Sequence, residues 1–220
     1  MLTKKELEIM RNNAKIHKKI FAEIKKIAIE TTTNQVNDLC KIAKKHNVLC
    51  AFKAYFPDNI CISINDEIAH TASRNIRFKN DLVNFDFIRD KVVNTDTGFT
   101  MVINKYNKVA KMIEVNKKAL YAISKCKANK VDISSAIQKE IEKAFKVVKD
   151  LTHAVKEIHE KPYIPNYKAS VELKKGMTLA IEPLIETSQI VDEAWEIYIK
   201  DSLCQFEHNI LITDEPEIII

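Results

Sequence analysis

Two histidines six positions apart, His153 and His159, stand in the stretch LTHAVKEIHEKPYIP at residues 151–165. A helix would turn them well around its cylinder from each other, whereas a strand would set both on one face. The zinc helix of the H-E-x-x-H type needs a separation of four, so that chemistry is excluded. Four acids occupy positions where a core strand should be apolar: Asp86 in VNFDF, Asp96 in NTDTGF, Glu182 in LAIEPLI and Glu207 in CQFEHNILI. Taken singly, each reads as an outward-facing acid on a half-exposed strand, because burying a carboxylate without a partner is costly. Taken together they could do more. Like charges ~4 Å apart repel by roughly 4 kcal/mol at an effective dielectric of 20, so four converging acids require cations.

The elements that must position these groups can be read from periodicity. Residues 3–29 carry apolar side chains at helical spacing behind a capping box of Thr3 and Glu6. A second helix is expected over 34–47. NICISIND (59–66) alternates as a strand, and LVNFDFIRD (82–90) with VVNTDTGFTMVI (92–103) forms a hairpin. Helical pattern resumes over about 109–126 and again over 132–147, opened by Asp132. After residue 163 strands dominate: 177–185, 194–200, 204–213 and 216–220. No low-complexity linker divides the chain, so one domain over 1–220 is expected. Helices and mostly antiparallel strands in alternating groups give the α+β class.

The bulk numbers narrow the function classes. With 46% hydrophobic and 30% charged residues, the 220-residue chain is that of an ordinary soluble globular protein. A net charge of +5, spread evenly, argues for no specific nucleic-acid site, although it would not repel a ribosome. The five cysteines are odd in number and include no C-x-x-C pair, which reads as reduced thiols in the cytoplasm. Neither a signal-peptide core nor a membrane span is visible.

In order along the chain, CISINDEIAH, VNFDF, NTDTGFT, THAVKEIHEKP, KKGMTLAIEPLI and QFEHNILIT resemble the motifs of the methionine aminopeptidases. These belong to the pita-bread metallopeptidase family M24. The likeness begins at KKELEIMRNNAKI and runs to the last strand. It implies a curved, mostly antiparallel sheet with helices on its outer face. It also implies two divalent metal ions held by Asp86, Asp96, His153, Glu182 and Glu207, with Asp96 and Glu207 bridging. Such an oxygen-rich set with one imidazole suits manganese, iron(II), cobalt or zinc.

Carried over residue by residue, the likeness makes Glu182 the proton carrier of a metal-assisted peptide hydrolysis. His70 would touch the substrate near its amino end, and His159 would hydrogen-bond the scissile carbonyl. Phe56, Phe99 and Trp195, with Cys50, would line an apolar pocket for methionine; ordinary core packing is the competing reading of these rings. His17, His46 and His208 read as surface or structural residues, with His208 placed to orient Glu207. The substrates implied are the amino ends of new polypeptides with a small second residue, and the enzyme would be a monomer. The short run from His159 to Glu182 fits type I. An Xaa-Pro dipeptidase of the same fold and a non-catalytic binding module are the alternatives.

The chain has only two glycines, Gly98 and Gly176, where average usage near 7% would give roughly fifteen. Its departures from the family pattern fall where glycines belong. Asp86 and Asp96 are ten apart instead of eleven, His153 and His159 six instead of seven, and Thr152 and Ala154 flank His153. A substitution would keep spacing, and these segments lose it. The pattern reads as glycines dropped from the written sequence, as when a gene uses a reassigned stop codon for glycine; a lineage that genuinely shed its glycines is the alternative. In-frame stop codons at the short points of the gene test this, and uninterrupted coding overturns it. An Asp-Gly turn is expected at RDKV (89–92), and the losses around His153 are expected to place that side chain badly.

Overall fold

In the computed structural model the described residues are 1–30, 36–48, 60–69, 78, 81–90, 92–103, 110–122, 133–143, 145–148, 152–155, 160–166, 171–186, 190–193, 196–199 and 203–220. Helix α1 (Lys4–Glu30) opens on the expected capping box. Thr3 N donates to Glu6 Oε2 at 2.6 Å and Glu6 N to Thr3 Oγ1 at 3.3 Å. Its buried stripe includes Met10, Ala14, Ile20, Ile24 and Ala28. Helix α2 (Val36–Lys45) packs beside α1. The buried Arg89 donates to His46 O just past the α2 C-terminus, where orphan carbonyls and the helix dipole favour a cation.

Strands β1 (Cys61–Ile64) and β2 (Glu67–Ala69) precede the hairpin of β3 (Leu82–Asp90) and β4 (Asn94–Val102), which closes with Asp90 opposite Asn94. Near its tip Val92 has φ +90° and is 77% exposed. A β-branched residue pays for that conformation and gains no packing in return, a strain of order 1–3 kcal/mol. The strained position lies at the tip from which the spacing suggests that a residue has been lost. Replacing Val92 with Gly is expected to stabilise the fold by about 1 kcal/mol, raising Tm by about 2–4 °C in thermal unfolding.

Helices α3 (Ala110–Ala122) and α4 (Ile133–Ile141) follow. The expected helix over 132–147 ends early, because Lys146–Val148, with its paired valines, forms strand β5. Then come β6 (Thr152–Ala154), β7 (Glu160–Ile164), β8 (Thr178–Ile181) and β9 (Leu184–Glu186). The last are β10 (Ile190–Glu193), β11 (Glu196–Ile199), β12 (Leu203–Gln205), β13 (His208–Leu211) and β14 (Glu217–Ile218).

All strand pairs among the described residues are antiparallel. They form the sheets β1-β3-β4, β10-β11-β2, β12-β9-β5 and β14-β13-β8-β6-β7. Two expected strands are each broken. Pro183, which has no amide to donate, parts β8 from β9 and sends them into different sheets. At Phe206–Glu207 the chain leaves β12, and Glu207 bridges to Gly98 before β13 begins. The main core packs Phe85, Phe87 and Phe99 with Ile20, Ile24, Met112, Leu120, Ile137 and Ile210.

Candidate metal centre

Side-chain parity along the hairpin decides which groups meet. Asp86 lies opposite Gly98 and Ile88 opposite Asp96, whereas Phe85 lies opposite Phe99. Both acids therefore share one face, and the shortened spacing between them leaves that parity intact. Phe99 falls on the other face. It was expected to line the substrate pocket, but its ring is buried against Phe21 and Phe85, at centroid distances of 4.3 and 5.2 Å, on the side facing α1. The correction follows from counting three residues, an odd number, from Asp96.

His153 sits on β6, between β7 and β8, and is paired with Ala180. Glu182 follows directly after β8, and Glu207 is pinned to β4 by Glu207 N→Gly98 O at 2.9 Å and Gly98 N→Glu207 O at 3.3 Å. These elements bring the side chains together. His153 Nε2 lies 3.6 Å from Glu182 Oε1 and 3.8 Å from Asp96 Oδ2. Donor atoms of Asp96, His153 and Glu207 lie within 4.8 Å of one another, and the Asp86 and Glu207 carboxyls hydrogen-bond each other. The misplacement of His153 expected from its shortened flanks does not occur.

The electrostatics of the cluster point to cations. Asp96, His153, Glu182 and Glu207 are all buried. Burial and the neighbouring Asp86 and Asp96 charges hold the Glu182 carboxyl well above the usual range. Burial does the same for Glu207, reinforced by Asp96, Glu182 and Asp86, and loss of water pushes Asp86 up to about 7. Glu207 Oε1 is buried without a hydrogen-bond partner among the described residues. His153 is held neutral by burial, and its Nδ1 meets Ala154 O at 2.8 Å, so Nδ1 carries the hydrogen and the Nε2 lone pair faces the acids. Four ionised carboxylates and a neutral imidazole are balanced by two divalent cations, and the donor set fits such ions.

A hydrogen-bonded frame, absent from the sequence reading, holds these groups. Glu182 N donates to Thr152 Oγ1 at 3.2 Å and Asn166 Nδ2 donates to Glu182 O at 3.1 Å. Thr152 Oγ1 closes the triangle by donating to Asn166 Oδ1 at 3.1 Å. Gln205 Nε2 reaches the Glu182 carboxylate at 2.7 Å. Asp96 N donates to Asn209 Oδ1 at 2.9 Å, and Thr97 Oγ1 to Glu207 O at 3.0 Å. His208 Nδ1 also meets Glu207 O at 2.6 Å, with its ring edge-on to Tyr121, so it steadies the Glu207 peptide and not its carboxylate. Polar residues in short strands read as outward-facing. The only signal was proximity, with Thr152 one residue from His153 and Gln205 two from Glu207.

Asn116 of α3 staples the same region from behind, donating from Nδ2 to Pro183 O at 2.8 Å and to Cys204 O at 2.6 Å. Asn116→Ala strands two buried carbonyls and is expected to destabilise the fold by about 2–3 kcal/mol, measured by urea unfolding. His70, His159, Phe56, Trp195 and Cys50 lie outside the described residues.

The chain matches metallopeptidase family M24 over residues 8–214. It is 32% identical to the methionine aminopeptidase of Aquifex aeolicus, with 98% of each chain covered. That alignment spans 253 columns against the 220 residues available, so at least 33 columns face gaps here. The crystal structure of methionine aminopeptidase from Thermotoga maritima superposes with a TM-score of 0.88 at 29% identity, covering 99% of this chain and 97% of that one. Prolidase from Pyrococcus furiosus shares the fold at a TM-score of 0.74 and 24% identity, and this chain spans 64% of its length. The architecture is the pita-bread fold of these enzymes. By sequence over nearly its whole length, the chain belongs to metallopeptidase family M24 and, within it, to the methionine aminopeptidases.

Proposed function

We propose that the protein removes the amino-terminal methionine from newly made polypeptides by metal-assisted hydrolysis, acting as a type I enzyme when the second residue is small. The observation that carries this is the convergence of the buried Asp96, His153, Glu182 and Glu207 with the half-buried Asp86 in one cluster. The end-to-end likeness to methionine aminopeptidases supports the choice of substrate. The four carboxylates and His153 Nε2 would hold the two divalent ions. Ions bound there would acidify a water and polarise the scissile carbonyl.

The remaining work falls to the protein's own groups. Glu182 takes the proton of the attacking water at its carboxylate and passes it to the leaving amine. His159 and His70 would bind the substrate carbonyl and amino end. In this role the protein works as a single-domain monomer of the cytoplasm, meeting its substrates as they leave the ribosome. The buried free thiol of Cys204 is in keeping with a reducing compartment.

Metal analysis combined with a Met-Ala-Ser peptide assay tests the proposal. Two ions per chain and release of free methionine are expected. Equal cleavage of Xaa-Pro peptides would favour a prolidase instead, and no cleavage of either by the metal-loaded protein would leave only a binding module.

A further inference from the structure

Gln205 ends β12 with its side chain turned toward the cluster and is only 2% exposed. Its backbone is clamped on both sides. Gln205 N donates to Thr100 Oγ1 at 2.9 Å, and Gln205 O accepts from Thr100 Oγ1 at 2.6 Å and from Asn84 Nδ2 at 3.2 Å. Asn84 Nδ2 in turn reaches Thr100 Oγ1 at 3.1 Å. The side chain then makes one directed contact, Nε2 to Glu182 Oε2 at 2.7 Å, while Oε1 is buried with no partner among the described residues. The reversed amide would press two acceptors together, so this orientation is set by chemistry.

The other Glu182 oxygen, Oε1, faces His153 Nε2. We infer that Gln205 is a positioning residue that fixes the rotation of the Glu182 carboxylate, occupying Oε2 so that only Oε1 is presented to the metal and reacting water. A carboxylate left free about its last bond would offer either oxygen and lose the alignment that proton transfer needs. The backbone triangle of Thr152 and Asn166 holds the main chain of Glu182 but cannot set this rotation. Gln205 does so. This inference rests on the proposed role of Glu182, and its test is chosen to be separable from that role.

Gln205→Met keeps the volume and removes the donor. The cobalt(II)-loaded protein and its variant are compared by metal stoichiometry, visible absorption, Tm, and kcat and KM on Met-Ala-Ser. The expected result is an unchanged two-ion stoichiometry, an altered cobalt absorption band, KM within about threefold and kcat lower by about 10- to 100-fold. An unchanged absorption band, or a kcat equal to that of the wild type, overturns the inference. So does a loss of ions and Tm together, which marks a merely structural residue. Should Gln205→Met fail to fold, Gln205→Asn, which withdraws the amide by one methylene, is measured in the same way. A wild-type protein that binds cobalt but releases no methionine sinks the functional proposal alone. The absorption comparison still decides the role of Gln205.

Discussion

Replacing Glu182 with glutamine is expected to lower kcat on Met-Ala-Ser by roughly a thousandfold or more while leaving the fold intact. General acid–base catalysis contributes about 10²–10⁴-fold, and in the proposed mechanism one group would serve both the incoming water and the departing amine. The fold survives because the new amide is the same size and its oxygen still accepts from Gln205 Nε2, the bond that holds Oε2 now. A second readout separates loss of chemistry from damage. Burial and the charges of Asp86 and Asp96 destabilise ionised Glu182, so removing its charge relieves repulsion. The metal-free variant should therefore melt above the metal-free wild type at about pH 8, well above the ordinary carboxylate range. Activity surviving the change refutes Glu182 as proton carrier. A lower melting temperature would mean that the cluster is less strained than its burial implies.

Stripping divalent ions with a chelator is expected to abolish turnover and to lower Tm, with the deficit growing as pH rises. The direction follows from where protons sit. Asp86, pushed up to about 7, and Glu182 and Glu207, held well above their ordinary values, bind protons in the folded metal-free chain that the unfolded chain has lost. Stability contributed by such acids is complete below their ordinary value of about 4 and is lost as pH climbs through the raised values. The buried histidines His153 and His17 and the half-buried His208, all favoured in the neutral form, act oppositely, but only below about pH 6.5. The comparison is therefore cleanest between about pH 7 and pH 9. Metal-loaded protein should be nearly flat over this range, because cations replace the protons. Equal deficits at both ends would show that the carboxylates are not what the ions neutralise.

Much of this architecture was legible because it depends on local pattern. The capping box of α1 and the parity of the hairpin are written in adjacent residues. What escaped depends on distant partners. Strand β6 is three residues long, and its identity comes from β7 and β8 on either side. The β8–β9 break needed Pro183 to be weighed against the apolar run around it. Lys146–Val148 extends a helical pattern until β9 is there to pair with it. Phe99, placed in the pocket by family likeness, follows the competing reading of core packing, because the parity of the hairpin turns it away from the acids and onto Phe21. Gln205, Asn166 and Asn209 are unremarkable polar residues until the atoms they bond, up to 113 positions away, are in view.

The clasp between Gly98 and Glu207 has a consequence for how the molecule comes into being. Thr97 Oγ1 and Glu207 O, which reinforce it, are 110 residues apart. During synthesis the hairpin bearing Asp86 and Asp96 emerges long before its counterpart, so loop closure over half the chain precedes any complete cage for ions. A growing chain is thus an unarmed one. The catalyst can switch on only when its final strands arrive, and a truncation before residue 207 would yield protein that never ripens.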